Sequence, residues 1–319
     1  MKKAAFCLLI CATLLAGATL PALAETPLVA VVLPGDLPRY RQAHAAFTQV
    51  LEKAGVGEDK ARIVVQKPNA DLVSITNSVR RLSAARADIL ITYGSQATFI
   101  AKTVAPKATV LFADVYDPEA LGIVKIMEAP GVSRTGASSL TSLASLLDSL
   151  LEIKPAQNIG VLYNKDEQAS VVQLEEMQTE ARKRGLTVLP ASAGRAGSAP
   201  AALDSLASRS DSIYLSEAYP SQQLAEKLIS AARARGVPVI SQIPGSAELG
   251  ALVSLEADPT EQGSLLAVHT IQVLSGKKTL MLGVRTAKKV SLALNKTTAQ
   301  ACSLSLPPDL LDRADRVVQ

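Results

Sequence analysis

Tryptophan is absent from this 319-residue chain, aromatic residues make up 3% of it, and it holds two histidines and three cysteines. Each scarcity excludes something. Few aromatic rings leave little stacking surface for a flat ligand, and no Lys/Arg cluster is interleaved with aromatics as nucleic-acid binding requires. His44 and His269 fall in separate helical patterns, and neither has an acidic or cysteine neighbour at metal-ligand spacing. Each reads as a solvated or core histidine, so no metal and no cofactor is expected. The chain has no H-E-x-x-H, C-x-x-C or G-x-S-x-G motif. Gly276-Lys277-Lys278-Thr279 resembles the end of a phosphate loop but lacks the earlier glycine. No nucleophile with a nearby base is legible, and an enzyme is not expected.

What is present begins with Lys2-Lys3, an apolar run from Ala4 to Leu20, and Ala22-Leu23-Ala24 before Glu25. That is the pattern of a secretory signal peptide over residues 1–24, with export to the periplasm and cleavage. Cys11 leaves lipid anchoring as the lesser alternative, because Ile10 is bulky where such anchors have a small residue. Cleavage takes two lysines from a formal net charge of +4, leaving +2. It also removes Cys7 and Cys11. Cys302 then remains alone, and without disulfides the apolar core does the stabilising. With 48% hydrophobic residues there is ample burial for two medium domains. No later apolar run reaches membrane-spanning length, so a soluble exported protein is expected.

After Thr26, short β-rich runs alternate with segments of helical period. Strands are expected at Val29–Leu33, Arg62–Gln66, Ile89–Thr92 and Thr109–Ala113, with helices between them. The rhythm pauses in turn-rich sequence around Pro130 to Gly136. It restarts with a helix at Ser142–Ile153, a strand at Ile159–Tyr163 and a long helix from Glu167 to Arg184. Strands follow at Thr187–Pro190, Ser212–Leu215 and Val237–Ser241. Alternation of this kind implies parallel sheets with crossover helices, and two successive units imply two α/β lobes.

In parallel sheets, the turns after the strands gather on one edge, and helix N-termini there present unpaired N–H groups. Five such turns are polar: one at Asp36, one at Tyr93-Gly94-Ser95-Gln96, one at Asp114 to Pro118, one at Asn164 to Ser170, and one at Ser216 to Tyr219. Singly, each reads as a helix cap, Ser95 and Asp166 being ordinary N-cap types. Together on two lobes they describe a cleft with two polar walls. Ser95 and the amides around it suit an anionic group. Asn164 can donate and accept, Glu167 suits an amine, and Ser170 lies one helical turn beyond it. Asp117, Tyr163 and Glu217 complete the candidate ligand contacts.

ADILITYGSQAT (87–98), DPEALGIVKIMEAPGVSRTG (117–136), IGVLYNKDEQAS (159–170), GALVSLEADPTEQGSLLA (250–267) and the tail from Val290 carry a resemblance over nearly the whole mature chain. The sequence resembles periplasmic substrate-binding proteins of ABC transporters, in the tryptophan- and tyrosine-binding-like family. The resemblance implies a type I periplasmic-binding-protein fold: two Rossmann-like lobes with parallel sheets, joined by a multi-strand hinge. The lobes would be residues 25–135 with about 257–282, and 136–256 with about 283–319. It further implies a monomer that captures a small polar ligand, an amino acid or related carboxylate, and delivers it to an ABC permease. A sensory protein feeding a receptor kinase or chemoreceptor would use the same cleft. The family's Tyr-Asn-x-x-Glu-x-Asn-Ser turn is matched by Tyr163, Asn164, Glu167 and Ser170, with Ala169 in place of the inner Asn. Gly94-Ser95 stands for its Gly-Thr turn, and Asp117-Pro118 matches. Asp258-Pro259-Thr260 replaces the tyrosines frequent before the last helix of the first lobe. These departures argue against an aromatic amino acid as ligand.

Overall fold

The computed structural model describes residues 26–218 and 222–319. The expected signal peptide and Tyr219 lie outside the described residues. The first unit runs β1 (Leu28–Val32), α1 (Pro38–Lys53), β2 (Arg62–Gln66), α2 (Leu72–Ala84), β3 (Ile89–Tyr93), α3 (Ser95–Val104), β4 (Val110–Val115) and β5 (Arg134–Ser138). The second runs α4 (Leu143–Ile153), β6 (Asn158–Tyr163), α5 (Gln168–Lys183), β7 (Thr187–Ser192), α6 (Ala199–Ala207), β8 (Ser212–Leu215), α7 (Ala225–Arg233), β9 (Val239–Ser241) and β10 (Val253–Ala257). The remainder is α8 (Pro259–Leu274), β11 (Arg285–Thr286), β12 (Val290–Asn295), α9 (Lys296–Ala301), α10 (Pro308–Arg313) and β13 (Arg316–Val318).

Two sheets result, one per lobe. The first has strand order β11-β5-β4-β3-β1-β2 and is parallel throughout; the second has order β13-β12-β10-β9-β8-β6-β7, with β12 antiparallel to β10. Every residue of β1, β3 and β4 is buried. That continuous apolar character is what a parallel strand covered by helices on both faces requires. Val29, Ile91 and Leu111 pack with α1 and α8 on one face, and Ala30, Leu90 and Val110 with α2 and α3 on the other. The second sheet is covered in the same way by two core clusters. Gly263 lets α8 lie directly on α1: a Cβ there would meet the Ala43 carbonyl oxygen at 1.8 Å.

The passages between lobes differ in detail from the sequence expectation. The expected break at 136 falls inside β5, and the chain leaves the first sheet only after Ser138. RTGAS offers one β-branched residue and no large apolar one, so β5 did not register as a strand. The chain returns between Ala257 of β10 and α8, which packs on α1. Arg285–Thr286, expected in the second lobe, instead adds β11 to the first sheet beside β5, and the last passage is 287–289. The passages hold one another: the Asp258 amide donates to the Lys289 carbonyl (3.0 Å), and the Thr141 hydroxyl to the Leu255 carbonyl (3.1 Å).

Candidate functional site

Strand order locates the site before any side chain does. In the first sheet β3 lies on the opposite side of β1 from β2, and in the second β8 lies on the opposite side of β6 from β7. Each order reverses there, and at such a switch point the loops leaving the carboxyl ends of adjacent strands diverge and open a crevice. A cavity of about 40 Å³ sits where the two crevices face each other. It is lined by Leu37 after β1, Tyr93 at the end of β3 and Ser95 just beyond it, Glu167 after β6, and Glu217 after β8.

Arg39 is at its centre, on the first turn of α1 and 5% exposed. Its Nη1 donates to Glu217 Oε2 across the lobes (2.7 Å), and its Nε lies 2.9 Å from Asp114 Oδ2 in its own lobe. A guanidinium is buried at tolerable cost only when paired in this way. Asp114 reaches it because β4 carries a register shift between Phe112 and Val115, with Asp114 at φ 59°. The bulge turns the Asp114 side chain towards α1, and its amide donates to Gln262 Oε1 on α8 (3.2 Å). The Arg39 guanidinium also lies over the Tyr40 ring, 4.9 Å from its centroid. Gly94, at φ +84°, leaves room for Tyr40: a Cβ would meet its hydroxyl at 2.0 Å.

The electrostatics follow from burial. Removing the Glu217 carboxyl from water raises its pKa to about 7 despite the adjacent Arg39, and burial pushes the Tyr40 hydroxyl up to about 12. A second interlobe contact joins the Tyr116 hydroxyl after β4 to Glu176 of α5, whose carboxyl burial also pushes up.

The structure distributes the sequence candidates in three ways. Tyr93, Ser95, Gln96, Glu167 and Glu217 line the cavity, with Gly94 packed behind it on Tyr40. The Ser95 hydroxyl also accepts from the Tyr116 amide (2.9 Å), which clamps the start of α3 to the end of β4. Asn164 and Ser170 are buried but shape their turn. Asn164 accepts from the Asp166 amide (3.0 Å) and donates from Nδ2 to Glu167 (3.2 Å), while Ser170 accepts from the Asn164 amide (2.7 Å). Their effect is to present Glu167 to the cavity. Asp36 and Asp117 are not brought to it. Asp36 is 87% exposed and pairs with Arg41, and Asp117 accepts from the Glu119 and Ala120 amides of its own turn. Tyr163 packs against the second-lobe core. Sequence reasoning missed Arg39, Tyr40 and Gln222. The one signal was an Arg-Tyr pair opening a helix just after the first strand-end turn.

Two larger recesses adjoin this cavity. A groove of about 900 Å³ runs along the flank of the cleft from Leu37 and Arg39 to the passage segments at Asp258 and Lys289. A recess of about 230 Å³ lies between Leu72 and Phe99 of the first lobe and Lys165 and Asp166 of the second. Among the described residues, no group of three or more His, Cys, Asp or Glu side chains is placed to hold a metal ion, and no helix is long and apolar enough to cross a membrane. His269 is a core residue with both ring nitrogens 3.0 Å from carbonyl oxygens, of Leu265 and Gly283.

Comparison with known proteins agrees with this geometry. A family model described as ABC transporter substrate binding protein matches residues 29–318. A tyrosine-binding protein of Clostridioides difficile is 24% identical over 273 residues, spanning 84% of this chain and 78% of that protein. Among solved structures, a conserved domain protein from Vibrio cholerae superposes with a TM-score of 0.87 at 25% identity, covering 92% of this chain and 100% of its own. An ABC domain from Streptococcus pneumoniae in complex with L-Trp gives 0.87 at 21% identity, with the same coverage.

Proposed function

Because the chain belongs to the family of ABC transporter substrate-binding proteins, we propose that it is a periplasmic receptor that captures a small polar solute between its lobes and delivers it to an ABC permease. The observation that carries this reading is the position of the cavity: it lies at the switch points of both sheets at once, walled by strand-end residues of each lobe. A ligand there contacts both lobes and so favours their closed arrangement, the differential contact that hinge closure needs. The amides opening α3 suit an anionic end of the solute, and the carboxylates of Glu217 and Glu167 suit an amine. An amino acid or a related carboxylate meets both demands. Relatives that bind tyrosine or tryptophan support the amino acid class. A monomer suffices for the task.

Melting temperature across a panel of amino acids and small carboxylates, on protein stripped by unfolding and refolding, tests the reading. A ligand at about 100 times its Kd adds about 2.7 kcal/mol of stability, a shift of several degrees. Silence across the panel would refute capture of this class of solute.

A further inference from the structure

Two spaces that meet at Arg39 carry an inference about ligand size. The inner cavity of about 40 Å³ and the flank groove of about 900 Å³ share Leu37, Arg39 and Gln222 as lining residues. Of these, Arg39 is the one fixed from both sides, by Asp114 of its own lobe and Glu217 of the other. We propose that Arg39 is a partition that sets the size and charge of the ligand: it confines the interlobe site to a glycine-sized solute bearing an ammonium group and excludes aromatic amino acids.

The size argument is direct. A cavity of 40 Å³ accommodates about three waters, far short of an indole or phenol ring. A larger ligand must either hold the lobes apart, which breaks the Arg39–Glu217 contact, or take over the space of the Arg39 side chain, which breaks its contacts to two buried carboxylates. The first-lobe wall does not yield in its place. Tyr93 is fully buried and meets Tyr40 at 6.2 Å between centroids, and Tyr40 is held by the close approach of Gly94. The charge argument concerns what Arg39 leaves over. One guanidinium faces two carboxyls, so above about pH 7, where Glu217 is ionised, the cluster carries a net negative charge, which attracts a further cation rather than a second anion. Tyr40 contributes no charge near neutral pH, its hydroxyl being pushed up to about 12.

The inference rests on the capture reading above, and its test separates the two. Calorimetry with glycine, L-tyrosine and L-tryptophan compares the wild type with Arg39→Ala. It also includes the triple variant Arg39→Ala/Asp114→Asn/Glu217→Gln, which removes the unpaired carboxylates that could prevent the single variant from folding. The expected result is that wild-type protein prefers glycine, whereas in at least one variant the cavity joins the groove and L-tyrosine or L-tryptophan binds at least tenfold more tightly than to wild type. Two outcomes overturn the partition: aromatic amino acids binding wild type as tightly as the variants, or no aromatic gain in either variant. A wild type silent to all three, with an aromatic gain in a variant, would sink the capture reading and the glycine-sized ligand with it, and would uphold Arg39 only as the barrier to aromatic amino acids.

Discussion

Glu217 offers a prediction whose magnitude follows from its burial. The carboxyl is raised from its ordinary 4.5 to about 7 by removal from water, with Arg39 opposing and Asp114 reinforcing the shift. Between those values the native state keeps a proton that the unfolded chain releases. Stability contributed by that proton is therefore present at and below pH 4.5, falls as pH rises, and is gone above about 7. The span corresponds to at most about 3 kcal/mol. Glu217→Gln keeps an acceptor for Arg39 and has no proton to lose. Glu176, whose carboxyl is also raised by burial, and His44 and His269, lowered by it, titrate alike in both proteins and drop out of the comparison. Melting temperatures at pH 5, 6, 7 and 8 should show the wild type losing stability relative to the variant, by about 2–4 °C per kcal/mol for a chain of this class. Parallel curves for the two proteins would show that Glu217 keeps its charge in the fold and would refute the burial argument.

Further outcomes are expected elsewhere. Gly263→Ala should destabilise by at least the 1–3 kcal/mol typical of overpacking, because the new methyl collides with backbone at Ala43 rather than with a movable side chain; a denaturant midpoint equal to wild type would contradict this. Asn164→Ala should cost about 1–3 kcal/mol of stability by orphaning the Asp166 amide and should weaken ligand binding through Glu167. Lys165→Ala, at an exposed position, should change neither quantity, and calorimetry on both variants checks the contrast.

Much of the architecture was legible because parallel strands buried on both faces must be continuous apolar runs, as LVAVV and ILITY are. Strand ends could then be placed within a residue or two, and Tyr93, Ser95, Gln96, Glu167 and Glu217 were picked out as edge residues from position alone. β5 was illegible for the opposite reason: a short strand of small and polar residues looks like a turn. The ion cluster was illegible for a different one. Arg39 and Glu217 are 178 residues apart, and each alone looks like an ordinary charge near a helix or strand end. Burial identifies them as partners, and burial exists only once both lobes are in place. Asp36 shows the converse, since a polar residue in the right turn points away when its side chain finds Arg41 in solvent.

Gln262 ties the bulge to the passage between the lobes. Its side-chain oxygen accepts from the Asp114 amide in the bulge, and its side-chain nitrogen donates to the carbonyl of Ser138, the last residue of β5 before the first passage (2.7 Å). One planar amide thus rivets the edge that grips Arg39 to the start of the first passage between the lobes. The connection runs through this one side chain and crosses no loop. Substitutions that reshape the bulge will therefore also displace the first passage, so that the hold on Arg39 and the course of the chain between the lobes are inherited as a pair.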